Sequence, residues 1–190
     1  MKQVNIIVGR FQPITIGHIK CAIEAFDKNE GHRTVLCMID TPDNKVDARH
    51  PFSSSMLMPI YKSMFLKSRD TSHCIEDIVL VKNADIVKIS QTLAELDYEP
   101  ISWSCGTDRY DSYVQMAERY KDKAGLPEDF KLIEIKRSDD DVSATKLRQA
   151  LIDDNQDEFF KNFPAIHLNV RMEHNIYKSL REQILKVAQQ

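Results

Sequence analysis

Ten consecutive residues near the start of the chain combine the side chains and the backbone freedom that a phosphate site requires. The segment Gly9-Arg10-Phe11-Gln12-Pro13-Ile14-Thr15-Ile16-Gly17-His18 follows an apolar run and precedes a helical pattern of apolar residues. A glycine after a strand lets the backbone approach a ligand closely. A helix N-terminus offers unpaired N–H groups and the positive end of its dipole. With His18 as a donor in the first turn, the segment predicts a phosphate site.

A second candidate phosphate site lies late in the chain, in Val142-Ser143-Ala144-Thr145-Lys146-Leu147-Arg148. Ser143 and Thr145 open a predicted helix, where hydroxyls and free N–H groups can bind phosphates. Arg148 lies about one turn further on and can reach back with its forked guanidinium. The alternative is an ordinary helix cap with an arginine that points to solvent.

Strand-like runs alternate with helical patterns along the chain. This alternation predicts an α/β protein with a parallel sheet. We expect one domain over residues 1–190, with a core of about 1–152 and a helical C-terminal tail of about 153–190. The predicted strands are residues 4–8, 34–39, 75–81, 101–105 and 130–135. Helices are predicted after the glycine turn, after Ser53, over 84–96, through Ala117, from Ser143 and from Pro164.

Composition narrows the class of protein. The net charge of −3 gives no electrostatic case for nucleic acid or an anionic membrane. No apolar run is long enough to span a bilayer, and the start lacks a signal-peptide pattern. The four cysteines form no CxxC pair, which favours reduced thiols and gives no metal site. We therefore expect a cytoplasmic protein.

The two motifs resemble those of a known family. Thr15-Ile16-Gly17-His18 is similar to the (H/T)xGH signature of the nucleotidylyltransferase superfamily, and residues 142–148 are similar to its ISxTxxR signature. Gly-Arg-Phe-Gln-Pro resembles the opening of archaeal-type nicotinamide-nucleotide adenylyltransferases. The resemblance covers roughly residues 3–152. It implies a Rossmann-like, doubly wound parallel sheet of about five strands in the order 3-2-1-4-5, with C-terminal helices.

The resemblance also implies roles for the motif residues. His18, Thr15 and Arg148 become the catalytic set, which aligns the substrates and stabilises charge on the phosphoryl oxygens. Threonine stands where most of the family has histidine, as in phosphopantetheine adenylyltransferases, and its hydroxyl would donate to the same phosphates. The residues expected to bind ATP or its phosphates are Gly9, Arg10, Phe11, Gly17, Arg137, Ser143, Ala144 and Thr145.

The implied strand order reverses between the first and fourth strands, and ligands bind beyond the carboxyl ends of strands at such a reversal. The residues assigned there to the nucleotide or acceptor are Asp40, Trp103, Gly106, Thr107 and Asp108. Three alternatives stay open: ordinary turn glycines, a surface position for Arg137, and core packing for Trp103. Residues 139–141, three aspartates, are read as a solvated loop rather than a magnesium site.

The expected enzyme is an adenylyltransferase that joins ATP to nicotinamide mononucleotide and forms NAD and pyrophosphate, with Mg²⁺ accompanying the triphosphate. Other acceptors stay open, namely phosphopantetheine, FMN or glycerol phosphate, as does cytidylyl transfer. A module that senses nucleotides without turnover is a further alternative, and homo-oligomer formation is left open. Arg49-His50-Pro51-Phe52 resembles the N-P-F segment of the archaeal-type enzymes. An arginine normally follows that segment, whereas this chain has Ser55-Met56-Leu57-Met58.

Overall fold

Five parallel strands form the central sheet. The computed structural model describes residues 1–66, 73–136, 143–165 and 168–189. The strand order β3-β2-β1-β4-β5 confirms the predicted Rossmann-like arrangement, with β1 in the middle. The strands are β1 (Lys2–Gly9), β2 (Thr34–Ile39), β3 (Ile75–Val81), β4 (Tyr98–Gly106) and β5 (Lys131–Ile135).

Helices cover both faces of the sheet, as a parallel sheet requires. Ile7 of β1 faces one apolar cluster, and its neighbour Ile6 faces the other. The first cluster holds α1 (Ile16–Lys28), α2 (Ser54–Phe65), α5 (Ala144–Ile152), α6 (Gln156–Asn162) and α7 (Val170–Ala188). The second holds α3 (Ile86–Glu95) and α4 (Thr107–Ala124). No helix in the described ranges is both long and apolar enough to cross a membrane.

The middle of the sheet contains a buried polar network centred on Asn5. Its Oδ1 accepts from Asn29 Nδ2 at 2.6 Å and from Ser102 Oγ at 2.6 Å, and its Nδ2 donates to the carbonyl of His32. Asn5, Asn29 and Ser102 are all buried. A register shift between β1 and β4 falls beside Asn5. The network therefore ties β1, α1, β4 and the turn before β2 together below the carboxyl edge of the sheet.

Two element boundaries differ from the sequence prediction. β4 starts at Tyr98 and includes Pro100, which was expected to precede it. Proline is tolerated because β5 pairs with β4 only from Ser102 onward, and because Pro100 lies at the register shift. The helix after β4 begins at Thr107 without an intervening turn, so Thr107 and Asp108 lie in its first turn.

The C-terminal tail is less continuous than expected. A short helix, α6, was not predicted, although Asn155 caps it by accepting from the Glu158 amide at 3.1 Å, a recognisable start signal. The last helix begins at Val170, with Asn169 as its cap, rather than near Pro164. Ile166, which the helix predicted from Pro164 would include, lies outside the described residues.

We expect the substitution Asn5→Ala to lower the free energy of unfolding by about 2 kcal/mol or more, because it leaves buried donors on Asn29 and Ser102 without their acceptor. Urea unfolding followed by circular dichroism measures this. Asn175→Ala, an exposed substitution on α7, is the matched control. Equal stability of the two variants would contradict the role assigned to the network.

Candidate nucleotide-phosphate site

The loop between β1 and α1 is held by contacts from α2 and the segment before it. Tyr61 donates its hydroxyl proton to the Phe11 carbonyl at 2.6 Å and accepts from the Ile14 amide at 2.9 Å. The Gln12 side chain donates to the Phe52 carbonyl at 2.6 Å and accepts from the Phe52 amide at 3.1 Å. The loop includes a cis peptide bond between Gln12 and Pro13. Because the residues that make these hydrogen bonds are buried, the bonds fix the shape of the loop.

Arg148 joins the late motif to this early loop. Its Nη1 donates to the Gln12 carbonyl at 2.6 Å, across 136 residues of sequence. Its Nη2 donates to Thr145 Oγ1 at 3.1 Å, while Ser143 caps α5 by accepting from the Lys146 amide. The expected cap on this helix is present, but the arginine turns inward. The two sequence motifs therefore meet at one place on the carboxyl edge of the sheet.

His18 is oriented by Thr15. The Thr15 amide donates to His18 Nδ1 at 3.0 Å, and Thr15 Oγ1 lies 2.9 Å from the same nitrogen. A backbone N–H can only donate, so Nδ1 is unprotonated and the neutral ring carries its proton on Nε2. Thr15 is 4% exposed. Its hydroxyl is thus turned toward the imidazole and can position the ring, while the donation to phosphate expected from the sequence stays a prediction.

Phe11 packs between Gly9 and His18. Its ring meets the His18 ring edge-on, with centroids 5.0 Å apart. A Cβ at Gly9 would lie only 3.0 Å from Phe11 Cε1, so a side chain there would displace the ring. Phe11 has a φ of 49°, in the left-handed region that non-glycine residues seldom adopt. Gly9 and Phe11 therefore act on the imidazole through packing.

We use the name cation cluster for four side chains that are linked by their electrostatic effects on one another, namely Arg10, Arg49, His50 and Arg148. Arg10 donates to the Asp40 carbonyl and to Thr41 Oγ1, both at 3.3 Å. Neutral oxygens thus accept the described hydrogen bonds of Arg10 and Arg148. A neutral acceptor satisfies a donor but does not cancel its charge, so the positive field remains available to an anion.

The electrostatics of the cation cluster reflect this crowding. Burial, and then the charge of Arg49, lower the pKa of Arg148, which still stays charged. Burial, followed by the charge of Arg10, lowers the pKa of His50. Asp47 opposes that shift, while Arg49 and Arg148 add to it. An anion with several negative charges would relieve the repulsion.

The other predicted site residues lie in five places. Asp40 and Gly106 lie at the carboxyl edge with Gly9, since Ile7 pairs with Ser104 and both glycines follow two residues later. Thr107 and Asp108 are exposed at the start of α4, and Gly17, Ala144 and Thr145 lie in the two motif segments. Trp103 is fully buried and stacks on Tyr113 at 4.0 Å, so it packs in the core and cannot reach a base. Arg137 and residues 139–141 lie outside the described residues.

Sequence reasoning did not assign Gln12, Tyr61, Arg49 or His50 to the site. Tyr61 was recognised only as one member of an apolar helix face, and nothing in that periodicity reveals a hydrogen-bonding hydroxyl. Arg49 and His50 did carry a signal, because their segment was singled out for its likeness to an N-P-F motif. What was missing was the fold that brings this segment beside Arg10 and Arg148.

The chain belongs to the cytidylyltransferase-like family, whose model matches residues 6–150. This match confirms the nucleotidylyltransferase resemblance of the sequence. No curated protein matches the chain at a significant level.

Solved structures share the fold at low sequence identity. Nicotinic acid mononucleotide adenylyltransferase from Plasmodium falciparum, complexed with NaAD, is 15% identical, with 96% of this chain and 98% of that chain covered and a TM-score of 0.61. A bifunctional NMN adenylyltransferase/ADP ribose pyrophosphatase from Francisella tularensis is 17% identical, with a TM-score of 0.52. That match covers 100% of this chain and 54% of the other, so the chain spans about half its length. TmcAL from Thermotoga maritima, bound with alpha-thio ATP, is 12% identical, with 96% and 56% covered and a TM-score of 0.53.

We expect Tyr61→Phe to loosen the loop, because the buried Phe11 carbonyl and Ile14 amide lose their partner. The free energy of unfolding should fall by about 1–3 kcal/mol. Hydrogen–deuterium exchange of the Ile14 amide should become faster than in the unmodified protein. Tyr110→Phe, on α4, is the control. Unchanged exchange at Ile14 in the Tyr61 variant would contradict the proposed anchoring.

Proposed function

We propose that this protein is an adenylyltransferase that transfers AMP from ATP to nicotinamide mononucleotide, forming NAD and pyrophosphate. An oxygen of the acceptor phosphate attacks the α-phosphorus of ATP. The new phosphorus–oxygen bond forms as the bond between the α-phosphorus and its bridging oxygen to the β-phosphate breaks, and pyrophosphate leaves with that electron pair. The reaction needs alignment and charge stabilisation more than covalent help from the protein.

The observation that carries the proposal is the contact between Arg148 and the Gln12 carbonyl. It brings a late arginine against the loop that precedes His18, which supports the proposal that donors from both motifs bind one triphosphate. In the proposal, His18 Nε2–H donates to a phosphoryl oxygen as charge develops there. The guanidinium groups of Arg10, Arg49 and Arg148 bind the remaining phosphates and the leaving pyrophosphate.

The choice of nicotinamide mononucleotide rests on resemblance. The Gly9–Pro13 opening resembles that of archaeal-type nicotinamide-nucleotide adenylyltransferases, and the Plasmodium and Francisella proteins of similar fold are adenylyltransferases for nicotinic acid or nicotinamide mononucleotide. Because ligands of such sheets bind beyond the carboxyl ends of the strands at the reversal, we place the base and ribose beyond Gly106, between β1 and β4. The cytidylyltransferase-like family match keeps CTP as a second donor to test. Cytoplasmic location belongs to the same proposal.

Magnesium enters the proposal with the triphosphate. Within the described parts of the chain, no group of three or more His, Cys, Asp or Glu side chains could hold a metal ion. In the proposal, phosphate oxygens and water hold most of the Mg²⁺ coordination sphere, as is usual for nucleotide sites. When bound, Mg²⁺ would neutralise phosphate charge. The protein's own contribution is to bind and orient the phosphates through the cation cluster and His18.

The decisive experiment measures pyrophosphate release with ATP or CTP against nicotinamide mononucleotide, nicotinic acid mononucleotide, phosphopantetheine, FMN and glycerol phosphate. We expect His18→Ala to lower turnover with the preferred pair by on the order of a hundredfold or more, since it removes a transition-state donor. His174→Ala, an exposed histidine on α7, is the control. Nucleotide binding without pyrophosphate release for any pair would instead indicate a sensing module.

Thr15→Val separates positioning from direct phosphate binding. The variant keeps the backbone N–H that fixes Nδ1 of His18 and removes only the hydroxyl. We expect kcat/KM to fall by no more than about tenfold, the effect of one hydrogen bond of about 1 kcal/mol. Thr92→Val on α3 controls for the substitution type. A loss as large as that of His18→Ala would show that the hydroxyl itself contacts the reacting phosphates.

A further inference from the structure

His50 stands out because its neighbours supply much more positive than negative charge. Hydrogen bonds place its segment beside the loop: the Gln12 side chain pairs with the Phe52 backbone, and the Gln12 carbonyl accepts from Arg148. The charges that act on His50 are those of Arg10, Arg49, Arg148 and Asp47. Three of these four groups are guanidiniums. Its side chain is 28% exposed, so water screens those charges only in part. A positive charge on His50, in addition to those of the three arginines, is therefore unfavourable as long as the site holds no anion.

Asp47 compensates His50 only weakly. Its Oδ1 already accepts from the backbone amides of Arg49 at 2.8 Å and His50 at 2.6 Å. The distance from that oxygen to His50 Nδ1 is 3.4 Å, longer than a good charge-assisted hydrogen bond. Asp47 is also well exposed, with 60% of its side chain accessible. Burial, and then the charge of Arg10, lower the pKa of His50, and Asp47 does not offset them, so the imidazole is mainly neutral near pH 7.

A nucleotide polyphosphate would reverse this field. It carries several negative charges, and the arginines that repel a proton at His50 would then be paired with phosphate oxygens. We propose that His50 is a phosphate-binding residue that takes up one proton from solvent when the nucleotide binds. The imidazole gains an N–H and donates it to a phosphate oxygen, and no other bond changes. This inference rests on the proposed function, because it takes the cation cluster as the phosphate site.

Proton uptake fixes the sign of the pH dependence. The pKa of His50 is higher in the complex than in the free protein, so nucleotide affinity rises as the pH falls through the interval between the two values. Above the pKa of the complex, this contribution to affinity is lost. The dissociation constant changes by up to about tenfold for each unit by which the two pKa values differ.

Titration calorimetry tests this with ATP as the probe, in the full chain, at about pH 7 in a buffer of low and a buffer of high ionisation enthalpy. The difference in apparent enthalpy gives the number of protons taken up. We expect His50→Asn to bind ATP with lower affinity and to take up fewer protons than the unmodified protein, by up to one. Titration of ATP's own phosphate contributes equally to both proteins and cancels. His174→Asn is the control and should keep the full uptake.

A second variant, His50→Lys, carries a fixed charge. We expect it to bind ATP more tightly than His50→Asn at about pH 8, with an affinity that varies little with pH. Repeating the titrations with nicotinamide mononucleotide shows which ligand's phosphate His50 contacts. Equal proton uptake by His50→Asn and the unmodified protein, for both ligands, would overturn the role of His50 alone. If neither ligand binds the unmodified protein, the proposed function falls as well.

Discussion

The structure of the site depends on how the buried backbone between β1 and α1 finds its hydrogen-bond partners. A loop buried at the edge of a sheet cannot leave carbonyl and amide groups unpaired, because each unpaired group costs about 1–3 kcal/mol. Tyr61 satisfies the Phe11 carbonyl and the Ile14 amide, and Arg148 satisfies the Gln12 carbonyl. The groups that satisfy this loop come from α2 and α5, so the shape of the loop and the placement of Arg148 are determined together.

Arg148 and Arg10 illustrate how a protein can hold arginines in place and still leave their charge available. Carbonyl and hydroxyl oxygens of Gln12, Thr145, Asp40 and Thr41 accept their hydrogen bonds. Carboxylates in the same places would have formed ion pairs and removed the positive field. The same choice of neutral partners explains the repulsion that acts on His50. The same positive charges that favour an anion thus add to the effect of burial in lowering the pKa of His50.

Much of the fold could be predicted from the sequence because each element carries its own local signal. β2 and β3 match the predicted residues 34–39 and 75–81, since each contains a run of four or more apolar residues within bounds set by polar or turn residues. The cap at Ser53 is also present. Where the prediction was wrong, strand pairing decided the outcome. β4 extends through Pro100 because this stretch pairs with β1, while β5 does not pair there and so tolerates the proline. The start of α6 was missed although Asn155 signals it.

By itself, the sequence determined the strand–helix alternation, the two motifs and the donor groups they carry, because these follow from residue types at short spacings. Only the tertiary structure decided what those groups face. It turned the Thr15 hydroxyl toward His18, buried Trp103 against Tyr113, and brought His50 beside three arginines. Some of these contacts join residues that are far apart in the chain. Others lie within one turn and depend on which rotamer the side chain adopts. The local sequence pattern carries no information about these contacts, so the direction of a side chain is settled only when the core packs.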